Sequence, residues 1–201
     1  MVRGEKHIPS FTSTNNLNLQ SENELGKQKI NLPVLSTKLH RPPISNDHIV
    51  RSDIIELLEK NLEKPLTLVS APAGYGKSVL VSQWLNQTKA KSTWISLDEE
   101  HNDLRMFLAY LMEALDKIFP NALKETNKLI GAAELPPIKL IAYSLINEID
   151  QIDQIDQEFI LVFDDYHRIH NSSIHGLIDE VLTYPPEFLH ICIITRIDPP
   201  L

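Results

Sequence analysis

Residues 65–89, "PLTLVSAPAGYGKSVLVSQWLNQTK", constrain the fold more than any other stretch of the chain. A short apolar, β-prone run (65–70) leads into a loop that ends in Gly-Lys-Ser (71–78), and an amphipathic helical pattern (78–89) follows. A run that is apolar throughout, rather than at alternate positions, is the mark of a strand buried on both faces. A strand, a tight loop and a helix in that order make a ready anion site. Loop N–H groups can wrap a phosphate, and the helix N-terminus adds its partial positive charge. Gly74 and Gly76 permit the tight backbone and close approach without a Cβ. The loop opens on Ala71 where a glycine is usual, and that position chiefly needs a small residue.

The rest of the chain repeats the alternation. A helix is expected from Ser52 or Asp53, as its cap, to about Leu62, a strand over 92–98, and a long helix over 102–119 capped by Asn102 or Asp103. Next come a helix over 136–149 with prolines in its first turn, a strand from 158 that runs into two aspartates, a helix over 172–184 and a strand over 188–196. The repeat "IDQIDQIDQ" (149–157) fits neither helix nor strand for long and reads as a helix end and linker. Residues 1–34 are polar, without a helical stripe, and read as a disordered tail, which leaves 35–201 as one domain. Strands apolar throughout, alternating with helices, predict an α/β fold: a parallel sheet with helices on both faces.

Three groups of residues can then carry chemistry. In the loop, Ala71, Pro72, Ala73, Gly74, Tyr75 and Gly76 supply backbone around a phosphate. Lys77 can reach the β- and γ-phosphates, Ser78 offers a hydroxyl to Mg²⁺, and Val79 begins the helix beside them. In "FILVFDDYH" the two aspartates sit at the C-terminal tip of a buried strand, where α/β sheets bind ligands. Asp164 suits Mg²⁺, directly or through water, and Asp165 can orient or deprotonate an attacking water. Arg196 ends the last strand, where it could stabilise charge at a γ-phosphate. His167, His170 and His175 have no recognised metal-ligand spacing and read as solvated loop histidines. Trp84 and Trp94 read as core.

Composition narrows the function. The chain of 201 residues has 19 basic and 27 acidic side chains, for a formal charge of −8, which argues against nucleic-acid binding by this chain alone. One cysteine, no signal-peptide pattern and no run long enough to span a bilayer lead to an expectation of a cytoplasmic protein.

The segments "LSTKLHRPP…VR", "LTLVSAPAGYGKSVLVSQW", "WISLDEEHND…F", "ILVFDDYHRI" and "CIITRIDPPL" occur in that order. Over about residues 35–201 the chain resembles the N-terminal ATPase domain of the maltose-regulon activator family. Those are large bacterial LuxR-type regulators of the STAND class of P-loop NTPases. The resemblance implies a sheet of order 5-1-4-3-2, related to the AAA+ ATPases. It also implies ATP as a switch, with an ADP-bound resting form and an ATP-bound form that self-associates. It makes 71–78 the ATP site, Ser78 and Asp164 the magnesium pair, Asp165 the hydrolytic acid and Arg196 the γ-phosphate sensor. It places the leading segment, Lys38 to Pro43 with Arg51, near the adenine. The family continues into a fifth strand, a winged-helix domain, an inducer-binding repeat domain and a DNA-binding helix-turn-helix. The expectation is therefore an ATPase core without those parts, which binds no DNA directly and no membrane. Two alternatives stand beside a slowly hydrolysing switch: a small P-loop kinase, and a non-enzymatic interaction module. The 99–157 segment is helical and acidic with Arg105 its one arginine, unlike an arginine-rich kinase lid, and the intact Lys77, Ser78, Asp164 and Asp165 argue against a degraded site.

Overall fold

Four parallel strands carry the architecture: β1 (Leu66–Ser70), β2 (Lys91–Ser96), β3 (Phe159–Asp164) and β4 (Leu189–Thr195), in the order β1-β4-β3-β2. This is the 1-4-3-2 portion of the expected order. The computed structural model describes residues 32–44, 49–152 and 158–201. Among the described residues six α-helices accompany the sheet: α1 (Ser52–Lys60), α2 (Lys77–Gln87), α3 (Leu104–Asp116), α4 (Lys124–Gly131), α5 (Ile138–Asp150) and α6 (Ser172–Thr183). None is long and apolar enough to cross a membrane. The reading of 1–34 as a tail lies, up to residue 31, outside the described residues, as does most of the three-residue repeat (153–157).

The continuous apolar character of the strands is explained by two cores, one on each face. In β3, Phe159, Leu161 and Phe163 point into the larger core, and Ile160 and Val162 into the smaller one. β4 repeats the division with Leu189, Ile191 and Ile193 against Cys192 and Ile194. The larger core is filled from α3, α4, α5 and α6, and the smaller from α1 and α2. The result is a three-layer α/β sandwich. Trp84 and Trp94 both lie in the smaller core, and each indole N–H is satisfied, by Glu59 (2.8 Å) and by Ser96 (3.0 Å).

Some local expectations need correction. α1 begins at Ser52 with Arg51 at its N-cap, and no side chain caps it. The helix expected over 102–119 forms as one piece with the expected cap, and ends early, at Asp116. Residues Glu99–Asn102 form a 3-10 turn, and Asp103 caps α3 by accepting from the Met106 N–H. α4 has no counterpart in the sequence reading. Its first turn is fixed from outside, by the Glu148 carboxylate of α5, which accepts from the N–H groups of Glu125 and Thr126 at 2.8 Å each.

The leading segment is fastened to the domain rather than loose. A 3-10 turn, Ser36–Leu39, packs against the outer edge of β2 and buries Leu39. Lys38 reaches Asp98 (2.6 Å) and Glu100 (3.1 Å), and the Leu35 N–H donates to the Tyr110 hydroxyl (3.0 Å). Further along, the Pro42 carbonyl accepts from Ser82 and the Ile49 carbonyl from Gln83, both on α2. The edge of β2 is thereby covered, which blunts one end of the sheet.

Candidate nucleotide site

The site forms where β1, β3 and β4 end. Apolar side chains hold the strands in register, so the residues that follow each strand emerge at one edge of the sheet. β1 ends at Ser70, opposite Thr195 of β4, and the Ala71 N–H donates to the Thr195 carbonyl at 3.4 Å. Arg196, the next residue, is exposed beside the start of the loop.

Gly74 and Gly76 stand at φ +84° and +73°, and each would leave space for a Cβ, so it is the backbone conformation that calls for glycine. Gly76 is the left-handed N-cap of α2, and its side-chain-free turn leaves the first N–H groups of the helix facing the loop. The Lys77 ammonium is folded into the loop, where it donates to the carbonyls of Ala71 (2.7 Å) and Pro72 (3.1 Å). Pro72, Ala73 and Tyr75 are exposed, and Val79 is half-buried.

Ser78 of α2 and Asp164 of β3 are brought together. The Ser78 hydroxyl donates to Asp164 Oδ1 at 3.0 Å, and the Asp165 N–H donates to the same oxygen at 2.9 Å. Asp164 is buried, and burial pushes its carboxyl up to about 6, against the relief given by Ser78 and Lys77. A hydroxyl beside a buried carboxylate is a hard-oxygen donor pair that fits Mg²⁺. Asp165 adopts the left-handed conformation (φ 56°), which turns the chain sharply after β3 into a 3-10 turn, Tyr166–Arg168.

Two of the three histidines differ from expectation. Of the three, only His170 is exposed. His175 is buried on α6, 3.0 Å from the Tyr166 hydroxyl. His167 lies 3.8 Å from the Asp165 carboxylate, and neither of its ring nitrogens has a hydrogen-bond partner. Burial lowers its pKa, and Arg196, Arg168 and Lys77 add to the effect while Asp165 opposes it. Arg51 lines a cavity of about 240 Å³ on the other side of the loop, with Gly74, Tyr75, Gly76 and Val79. Sequence reasoning missed Gln83, which lines the same cavity; its position one turn after Val79 on α2 was the available signal.

No family model matches the chain. Among curated proteins, the HTH-type transcriptional regulator MalT of Vibrio cholerae is 33% identical over 168 residues, covering 83% of this chain and 18% of the regulator. MalT of Vibrio parahaemolyticus gives the same figures. MalT of Serratia proteamaculans is 32% identical over 168 residues, with 84% and 18% covered. Over that region the chain is a homologue of the MalT regulators, and it spans 18% of their length. Among solved structures, Cdc6p from Pyrobaculum aerophilum is similar at a TM-score of 0.46 and 14% identity, covering 82% of this chain and 44% of that one.

Proposed function

We propose that this homologue of part of the MalT regulators is an ATP-binding, slowly hydrolysing switch domain of a cytoplasmic regulator. The observation that carries the reading is the 3.0 Å contact between Ser78 and Asp164, at the sheet edge where the phosphate loop opens. Two residues 86 positions apart meet there as a hard-oxygen pair. A chance Gly-Lys-Ser after a strand would not need the aspartate of β3 in contact with its serine.

Within this reading each side chain has one task. The loop N–H groups and the N-terminus of α2 hold the phosphates. Lys77 gives its ammonium to them in place of its own loop carbonyls. Ser78 and Asp164 would hold Mg²⁺, which when bound would neutralise phosphate charge. Asp165 orients the attacking water and takes its proton, and Arg196 faces the terminal phosphate. Arg51 and Val79 belong to the cavity on the base side. The ATP form is the one that self-associates.

The test is titration of the full chain with labelled ATP and ADP in Mg²⁺, followed by phosphate release with and without candidate metabolites. The expected result is saturable binding, hydrolysis well below the ~10 per second of ordinary enzymes, and loss of binding in Lys77→Ala. Metabolite-dependent ADP production would favour a kinase instead. Absence of binding, with Lys77→Ala behaving like the wild type, would leave an interaction module.

A further inference from the structure

On the face of α2 beyond the phosphate loop, Gln83 is 4% exposed and lines the same cavity as Arg51, Tyr75, Gly76 and Val79. The two polar atoms of its amide are in different situations. Nε2 donates to the Ile49 carbonyl of the leading segment at 3.4 Å. Oε1 is buried and accepts no hydrogen bond. The orientation of the amide is not arbitrary, because a flip would set Oε1 against the Ile49 carbonyl oxygen. The leading segment therefore leaves Gln83, which lines the cavity, with a buried acceptor that has no donor. A buried amide oxygen without a donor is uncommon and calls for a partner.

Its placement indicates which partner. Gln83 follows Val79 by four residues and stands on the same helical face. From Gly76, at the loop, to Gln83 is about 10 Å along the axis at 1.5 Å per residue. A nucleotide anchored by its phosphates at the loop and laid along this face carries its base toward Gln83. The two common purines differ there in the sign of the hydrogen bond. Adenine presents an amino donor at C6, and guanine presents an oxygen acceptor.

We infer that Gln83 selects adenine over guanine, with Oε1 accepting from the 6-amino group. The inference rests on the nucleotide reading of the loop and adds the residue that sets base identity. A site that meets a polar group of its ligand rejects analogues lacking that group, because its own buried atom is then left unpaired.

The experiment compares ATP with inosine triphosphate, which has an oxygen at C6, and purine riboside triphosphate, which has hydrogen there. Each is titrated in Mg²⁺ into the wild type and Gln83→Met. The wild type is expected to bind ATP at least about tenfold more tightly than either analogue. Gln83→Met is expected to weaken ATP and bring the three within about threefold of one another. Equal binding of all three by the wild type overturns the inference and leaves the nucleotide site standing. So does a Gln83→Met protein that keeps the wild-type ratios. Failure of the wild type to bind any of the three overturns the nucleotide reading and the inference with it. If Gln83→Met does not fold, the wild-type comparison of ATP with purine riboside triphosphate decides alone.

Discussion

Asp164→Asn should make the ligand-free protein more stable at neutral pH while removing its capacity for Mg²⁺. The carboxyl is 7% exposed, and its pKa is raised from 3.8 to about 6, chiefly by burial. Each tenfold rise in proton affinity is worth about 1.4 kcal/mol, so ionising the group in the folded state costs about 3 kcal/mol more than in the unfolded chain. The sign follows from the raised value. The favourable contribution of the protonated acid is fully present below pH 3.8 and is lost as pH rises through about 6. Asparagine removes the charge yet keeps Oδ1, the oxygen to which both Ser78 and the Asp165 N–H donate. Thermal and denaturant unfolding without Mg²⁺, at pH 7.5 and pH 4, tests this. At pH 7.5 the variant should gain about 3 kcal/mol, or about 10 °C in Tm for a domain of this size. At pH 4 the gain should nearly vanish. Mg²⁺ with ATP should then stabilise the wild type and not the variant. No gain at pH 7.5, or an equal gain at both pH values, would refute the assignment of the cost to a buried ionised carboxylate.

Asp165→Asn should keep ATP binding and the fold, since asparagine tolerates the left-handed conformation at φ 56°. Its hydrolysis should fall by about 10²–10⁴-fold in a single-turnover assay. Gly76→Ala meets nothing within 4 Å but must adopt φ +73°. It should cost about 1–2 kcal/mol by denaturant titration and weaken nucleotide binding in the same preparation.

What the sequence disclosed depended on whether the signal was local. β3 and β4 were legible because alternate residues feed two different cores, so both faces of each strand had to be apolar. The loop's backbone was legible because Gly74 and Gly76 fall where the chain must take positive φ between a strand and a helix. α4 was not, because "KETNKLIG" has few apolar positions and its first turn is held by Glu148 from α5. His175 gave no sign of burial, since its partner, the Tyr166 hydroxyl, is set opposite it only by the packing of α6. The leading segment, with Pro42 and Pro43 in it, carries no local sign of how it is held. Its fastening through Lys38 to Asp98 and Glu100 joins residues about 60 positions apart, a pairing that no local pattern encodes. For Gln83 the helical spacing from Val79 was a local signal, but its unpaired oxygen was not, since that depends on the Ile49 carbonyl.

The strand order has a consequence in time. Leu66 pairs with Ile191, and Ser70 with Thr195, so the first of the four strands to leave the ribosome is held by the last. β2 can find β3, and β3 can find β4, across shorter stretches of chain. Contacts distant in sequence close later because more loop must be ordered first. The loop 71–78 is thus synthesised early and clamped late. Throughout that interval β1 is an apolar strand still waiting for β4, the kind of segment on which chaperones act and from which aggregates grow.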